Sequence, residues 1–207
     1  MNPCFFRHFD PEKTALFSMN STSRRFVLRD GTWTIHQQLD AAIGPLTSLV
    51  AYKRYLASIL ALRGGVESCF QDISWPDFFE GWHPTTLLPV LNQDARDMAI
   101  SPDVFSSVAL PATISALMGM VYVVEGASLG AQILVKQASL LGLGEEFGAR
   151  HLFVQSGSLD NWKVFLSLLD KTPAFDKEQA VDSARNLFCS ALDAVKKVDA
   201  QQGLLHG

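Results

Sequence analysis

Tyr122-Val-Val-Glu-Gly-Ala-Ser-Leu-Gly-Ala-Gln-Ile-Leu134 lies inside a proline-free run from Ile114 to Leu141 that reads as one helix, yet Gly119, Gly126 and Gly130 interrupt it. Each glycine in a helix interior costs ~1 kcal/mol relative to alanine, so something must offset three of them. Offsets of seven and four residues place all three on one stripe at a period of 3.6, and that stripe offers bare backbone in place of side chains. Two occupants fit such a surface. One is a neighbouring helix crossing at close range; the other is a planar cofactor lying against the helix.

Working outward, the rest of the chain is also helical. Leu28, Thr32, Ile35, Leu39 and Ile43 form an apolar stripe ending at Gly44-Pro45. A second helix is expected from about Ser48 to Leu62, closed by Gly64-Gly65, with helical signal resuming over 66–72. Ser74-Trp-Pro starts a short helix through Phe79, Thr85-Thr86 cap one leading through Leu91 to Met98, and Pro102 and Pro111 bracket a loop. Glu145 to Phe153 is a short element followed by a loop over 155–158. Helices then run over 161–170, stopped by Pro173, and over about 176–198 with Ala180, Ala184, Leu187, Phe188, Ala191 and Val195 inward. No alternating strand pattern occurs. The fold class is therefore all-α, a bundle of about eight helices.

The 207 residues amount to one domain, 48% apolar and 18% charged. Residues 25–198 form it; 1–24 read as a flexible N-terminal extension, with Met19 as an alternative start, and 199–207 as a C-terminal tail. A net charge of −4 without basic runs disfavours nucleic acid. Apolar runs broken by charge and glycine disfavour a membrane span, and the first twenty residues do not resemble a secretory signal. A cytoplasmic location is the expectation. Cys4, Cys69 and Cys189 are too few and too dispersed for a disulfide framework or a zinc cluster.

The helix from Arg25 supplies the residue to weigh. His36 stands beside the apolar stripe, where a lone histidine is more often a core residue than a ligand. Arg29 lies seven residues back on the same face, roughly 10 Å along the axis. Thr32 and Asp40 flank His36 by one turn on either side, and Asp40 can fix the imidazole tautomer. His8, His83 and His206 lie in tails or a turn; His151 more readily packs or caps. Asp94, Asp97 and Asp103 lack the Glu-x-x-His pattern of a di-iron site.

The pair Leu28-Arg29…Thr32…His36…Leu39-Asp40 and Glu125-Gly-Ala-Ser-Leu-Gly-Ala-Gln-Ile-Leu134 resembles the proximal and distal helices of the haem oxygenase family, especially its bacterial, biliverdin-producing members. Glu145-Glu-Phe-Gly-Ala-Arg-His-Leu and Asn161-Trp-Lys-Val-Phe resemble them too. The likeness spans about residues 25–198 and is weakest over 64–110. It implies a haem oxygenase-like multi-helix bundle in which haem is both substrate and cofactor. His36 would be the iron ligand, and Gly126 and Gly130 would lie over the distal face. Arg29 would pair with a propionate, with Thr32, Tyr122 and Lys136 as further haem contacts. Some members carry a distal aspartate; Ala127-Ser128 stands there in this chain, so Ser128 or ordered water would organise the proton supply. The implied reaction opens haem at a meso carbon to biliverdin, ferrous iron and carbon monoxide, and a propionate held by Arg29 implies the α isomer. Electrons would come from an external ferredoxin or flavoprotein reductase, and a bacterial phytochrome is a possible biliverdin acceptor. The alternatives are a non-catalytic haem sensor or carrier of the same fold, and a helical module that binds no haem.

Overall fold

The computed structural model describes residues 23–100 and 105–205. Residues 1–22, which include most of the expected extension and Met19, lie outside the described residues. Among those described the chain forms seven α-helices and no strand, Gly144 and Gly148 making one isolated bridge. The helices are α1 (Arg24–Ile43), α2 (Leu49–Gln71), α3 (Leu88–Asp97), α4 (Ile114–Leu140), α5 (Arg150–Gly157), α6 (Leu159–Lys171) and α7 (Lys177–Leu205), with a 3-10 turn at Asp77–Phe79. The all-α expectation holds.

An arginine secures each end of α1. Arg24 Nη1 donates to the carbonyls of Leu169 (2.6 Å) and Thr172 (2.7 Å) at the close of α6. At the other end Arg54 of α2 donates to the carbonyls of Ala42 (2.8 Å) and Ile43 (3.1 Å) and pairs with Asp199 of α7. The last carbonyls of a helix have no partner within it, and a guanidinium fork meets two of them while countering the negative end of the dipole. Between these clamps Leu28 and Thr32 are buried, whereas Ile35, Leu39 and Ile43 are only partly covered.

α7 is the spine. It packs against α1, α2 and α4, while α4 also packs on α5 and α6. Along α7, Val181 meets Gly31 of α1 (2.7 Å from the position a Cβ would take), and Phe188 meets His36 with ring centroids 5.3 Å apart. On α4, Gly119 crosses at Ala180, and Met120 and Val124 share a cluster with Leu187. Both α1 and α4 thus run in the same sense as α7, and His36 comes level with the turn of α4 around Val124 to Gly126. α4 is long and apolar enough to span a membrane by length and composition, but 56% of its most apolar window is buried in the bundle, as in a core helix.

Two expectations are corrected. α2 does not stop at Gly64-Gly65 but continues to Gln71. A side chain at Gly64 would collide with the Phe105 ring, and one at Gly65 with the Ser106 carbonyl, so these glycines admit the 105–108 segment instead of ending the helix. Thr85 and Thr86 do not cap α3; buried Glu67, four residues from Arg63 and paired with it, accepts from the backbone N–H groups of Leu87 (2.9 Å) and Leu88 (3.1 Å). The elements over 150–157 and 74–79 also differ, the former being helical to Gly157 and the latter a single 3-10 turn.

The glycine stripe is shared between the two occupants weighed above. A methyl at Gly119 would strike the Ala180 carbonyl oxygen, so at that height the stripe serves a helix crossing. Gly119→Ala is therefore expected to lose about 2 kcal/mol of stability despite its helix propensity. The thermal midpoint should fall by ~4–8 °C, and an unchanged midpoint in a melting curve would contradict this packing.

Candidate functional site

Beyond Gly119 the same stripe is open. A Cβ at Gly126 would touch nothing but the Trp162 ring at 3.7 Å, an ordinary contact, and one at Gly130 would meet nothing within 4 Å. Gly130 and its neighbours Leu129 and Ile133 are exposed, the latter two at 45% and 54%. Exposed leucine and isoleucine beside bare backbone form an apolar surface that no part of the described chain covers, the kind of surface that marks a binding face.

On α1, His36 is half-exposed. Its Nδ1 lies 3.1 Å from Asp40 Oδ2, one turn on. The hydrogen bond to Asp40 raises the imidazole pKa above 6.5, partly opposed by burial. In the neutral form the same contact holds the proton on Nδ1 and leaves the Nε2 lone pair free, the state a metal ligand requires. His36 and Gly126–Gly130 stand on two helices that both pack against α7.

Arg25, Tyr122 and Trp162 close the end of this region nearer the start of α1. The Tyr122 and Trp162 rings are 5.7 Å apart, and the Arg25 guanidinium stands 5.9 Å from the Trp162 ring. Burial pushes the Tyr122 phenol up, against the opposing influence of Arg25, Arg29 and the Thr32 hydroxyl, so the phenol stays protonated. Thr32 itself is buried and donates to the Leu28 carbonyl (2.7 Å).

The remaining sequence candidates are placed as follows. Arg29 is exposed, paired with Asp30 (2.8 Å) and lying over the Phe26 ring. Lys136 is exposed six residues beyond Gly130. Ser128 does not reach the open stripe: it is 1% exposed, and its Oγ donates to the Glu125 carbonyl (2.7 Å). Two residues along a helix is about 200°, so Ser128 faces the interior when Gly126 and Gly130 face outward. Its hydroxyl is thus turned away from the glycine side, where ordered water is the other candidate for the proton supply.

Sequence reasoning missed Glu125. It is 1% exposed; burial raises its carboxyl pKa, opposed by hydrogen bonds from Thr85 and Asn161. The signal was available as a single carboxylate inside the otherwise uncharged stretch from Ile114 to Val135. A second buried cluster supports α5. Asp94 accepts from the N–H groups of Arg150 (3.0 Å) and His151 (2.9 Å) and from His151 Nδ1 (2.8 Å), and Arg150 also pairs with Asp97. Burial holds His151 neutral with its pKa lowered. Burial would raise the Asp94 carboxyl, but the bonds from His151 and Arg150 outweigh it and keep it low. His151 thus packs, as expected, and Asp94 provides the cap. Two cavities lie elsewhere, one of about 170 Å3 beside Trp75 and His83 and one of about 750 Å3 between the 107–113 segment and α7.

No family model matches the chain. Over 150 residues it is 27% identical to the haem oxygenase PigA of Pseudomonas aeruginosa, covering 70% of this chain and 76% of that protein. The chain is similar in sequence to this bacterial haem oxygenase. The fold agrees: the solved haem oxygenase of Neisseria meningitidis, whose NO- and CO-bound forms are known, superposes with a TM-score of 0.67 at 21% identity over 86% of this chain and 92% of that one.

Proposed function

We propose that this chain is a haem oxygenase. It takes haem as substrate between α1 and α4 and, with dioxygen and electrons from an external donor, opens the ring to biliverdin, ferrous iron and carbon monoxide. The observation that carries the reading is a half-exposed imidazole on α1 level along α7 with the Gly126 turn of α4, one turn short of the uncovered backbone at Gly130. Haem, when bound, supplies the redox-active iron and the meso carbon at which the ring opens.

The chain's own residues supply placement and exclusion. His36 would hold the iron through Nε2, with Asp40 fixing its ring at Nδ1. Gly126 and Gly130 would leave room for the substrate and offer it no side-chain acid. Neutral Tyr122 and Thr32 close the inner edge, while Leu129 and Ile133 give the ring an apolar wall. Arg29 and Lys136, both exposed, are cations that would reach the propionates; Arg29 must exchange its Asp30 partner to do so.

A haemin titration tests the proposal. The expected outcome is a Soret band saturating at one haemin per chain, which decays into biliverdin absorption when a reductase system and air are supplied. No Soret band would remove haem from the account, and a persistent oxy spectrum without biliverdin would leave a carrier or sensor.

A further inference from the structure

Glu125 precedes Gly126 on α4 but points the other way, into a closed set of hydrogen bonds. Its Oε1 accepts from the Thr85 backbone N–H (2.6 Å), and its Oε2 from Asn161 Nδ2 (3.2 Å) and the Thr85 hydroxyl (3.4 Å). Asn161 Oδ1 accepts from the Trp82 indole N–H (2.6 Å), which fixes the amide so that its NH2 faces Glu125. The residue after Asn161 is Trp162, whose ring is what a Cβ at Gly126 would meet and lies between Tyr122 on α4 and Arg25 on α1. Trp162 is 5% exposed and belongs to the cluster that joins Leu28 of α1 to Val121 of α4.

We infer that Glu125, acting through Asn161, is a positioning residue that fixes the Trp162 indole as the spacer between α1 and α4. It thereby sets the width of the slot beside Gly126. The role needs a carboxylate, because both oxygens must accept. A glutamine offers one acceptor, and its NH2 would oppose the NH2 of Asn161; turning Asn161 over would break the Trp82 bond instead. The inference rests on the proposed haem site for its consequence and on this hydrogen-bonded set for its geometry.

The test compares Glu125→Gln with Glu67→Gln, which removes the carboxylate capping α3, away from the slot. In haem-free protein labelled with 15N, Glu125→Gln is expected to shift the Trp162 indole resonance, assigned through Trp162→Phe, whereas Glu67→Gln leaves it in place. In haem-loaded protein, transfer of haemin to excess apomyoglobin is expected to be about tenfold faster for Glu125→Gln and within twofold of the parent for Glu67→Gln. An unmoved Trp162 resonance in Glu125→Gln overturns the inference. So does a shift that leaves haemin release unchanged, or equal acceleration by Glu67→Gln, which would mean general loosening. If the parent chain takes up no haemin, the proposed function fails, and the indole resonance alone decides whether Glu125 positions Trp162.

Discussion

Replacing His36 by alanine is expected to abolish the histidine-ligated haem spectrum and biliverdin formation, while leaving the fold intact. The side chain is half-exposed, and its pairing with Asp40 is of a surface i,i+4 kind worth at most a few tenths of a kcal/mol. Loss of an iron ligand is a different scale, about 3 kcal/mol or roughly a hundredfold in haemin affinity. The described histidines offer no substitute. His151 is wholly buried against Asp94, and His83 lies edge-on to Trp75. Adding free imidazole should restore an imidazole-ligated spectrum if the proposed haem site is otherwise intact. A Soret band unchanged in His36→Ala would mean the ligand lies elsewhere. The pH dependence follows with a definite sign. Asp40 raises the pKa of His36 above 6.5 in the haem-free protein, and the proton competes with iron for the imidazole. Haemin affinity should therefore fall as pH drops through that raised value, and Asp40→Asn should move the fall to lower pH.

How much of this was legible in the chain depended on the range of the interaction. The stripe from Leu28 to Ile43 and the α4 run were readable because helical periodicity is local, and the ends at Gly44 and Gly142 carry positive φ angles of 67° and 79° that glycine accommodates. Periodicity gives a residue's face but not what meets that face. Gly64-Gly65 therefore looked like a stop signal, when it is the approach point of a segment some forty residues on. The same limit applied to Ser128, whose half-turn offset from the glycines was calculable, and to the cap of α3, where Glu67 acts from twenty residues away. Whether Gly119, Gly126 and Gly130 met a helix or a ligand was undecidable from spacing alone. It required the path of α7, which touches α4 at Gly119 and not at Gly130.

That division within one stripe yields the second large expected effect. Gly130→Leu should raise the stability of the haem-free protein while lowering its rate of haem breakdown at least tenfold. The stabilising part is local: a leucine at an exposed helical site with nothing within 4 Å recovers the ~1 kcal/mol that glycine forfeits, or about 2–4 °C in thermal midpoint. The inhibitory part is steric. A branched side chain rising from residue 130 would occupy the space where the ring and its dioxygen are proposed to lie, about one helical turn beyond the height of His36. Gly119→Ala moves stability in the opposite sense, so the two variants separate a packing glycine from a site glycine on the same helix face. Calorimetry of the haem-free proteins and single-turnover rates of the haem-loaded ones measure the two parts independently. If Gly130→Leu turns over haem at the parental rate, the open half of the stripe is not the distal wall, and the protein must hold the substrate on another face of α4.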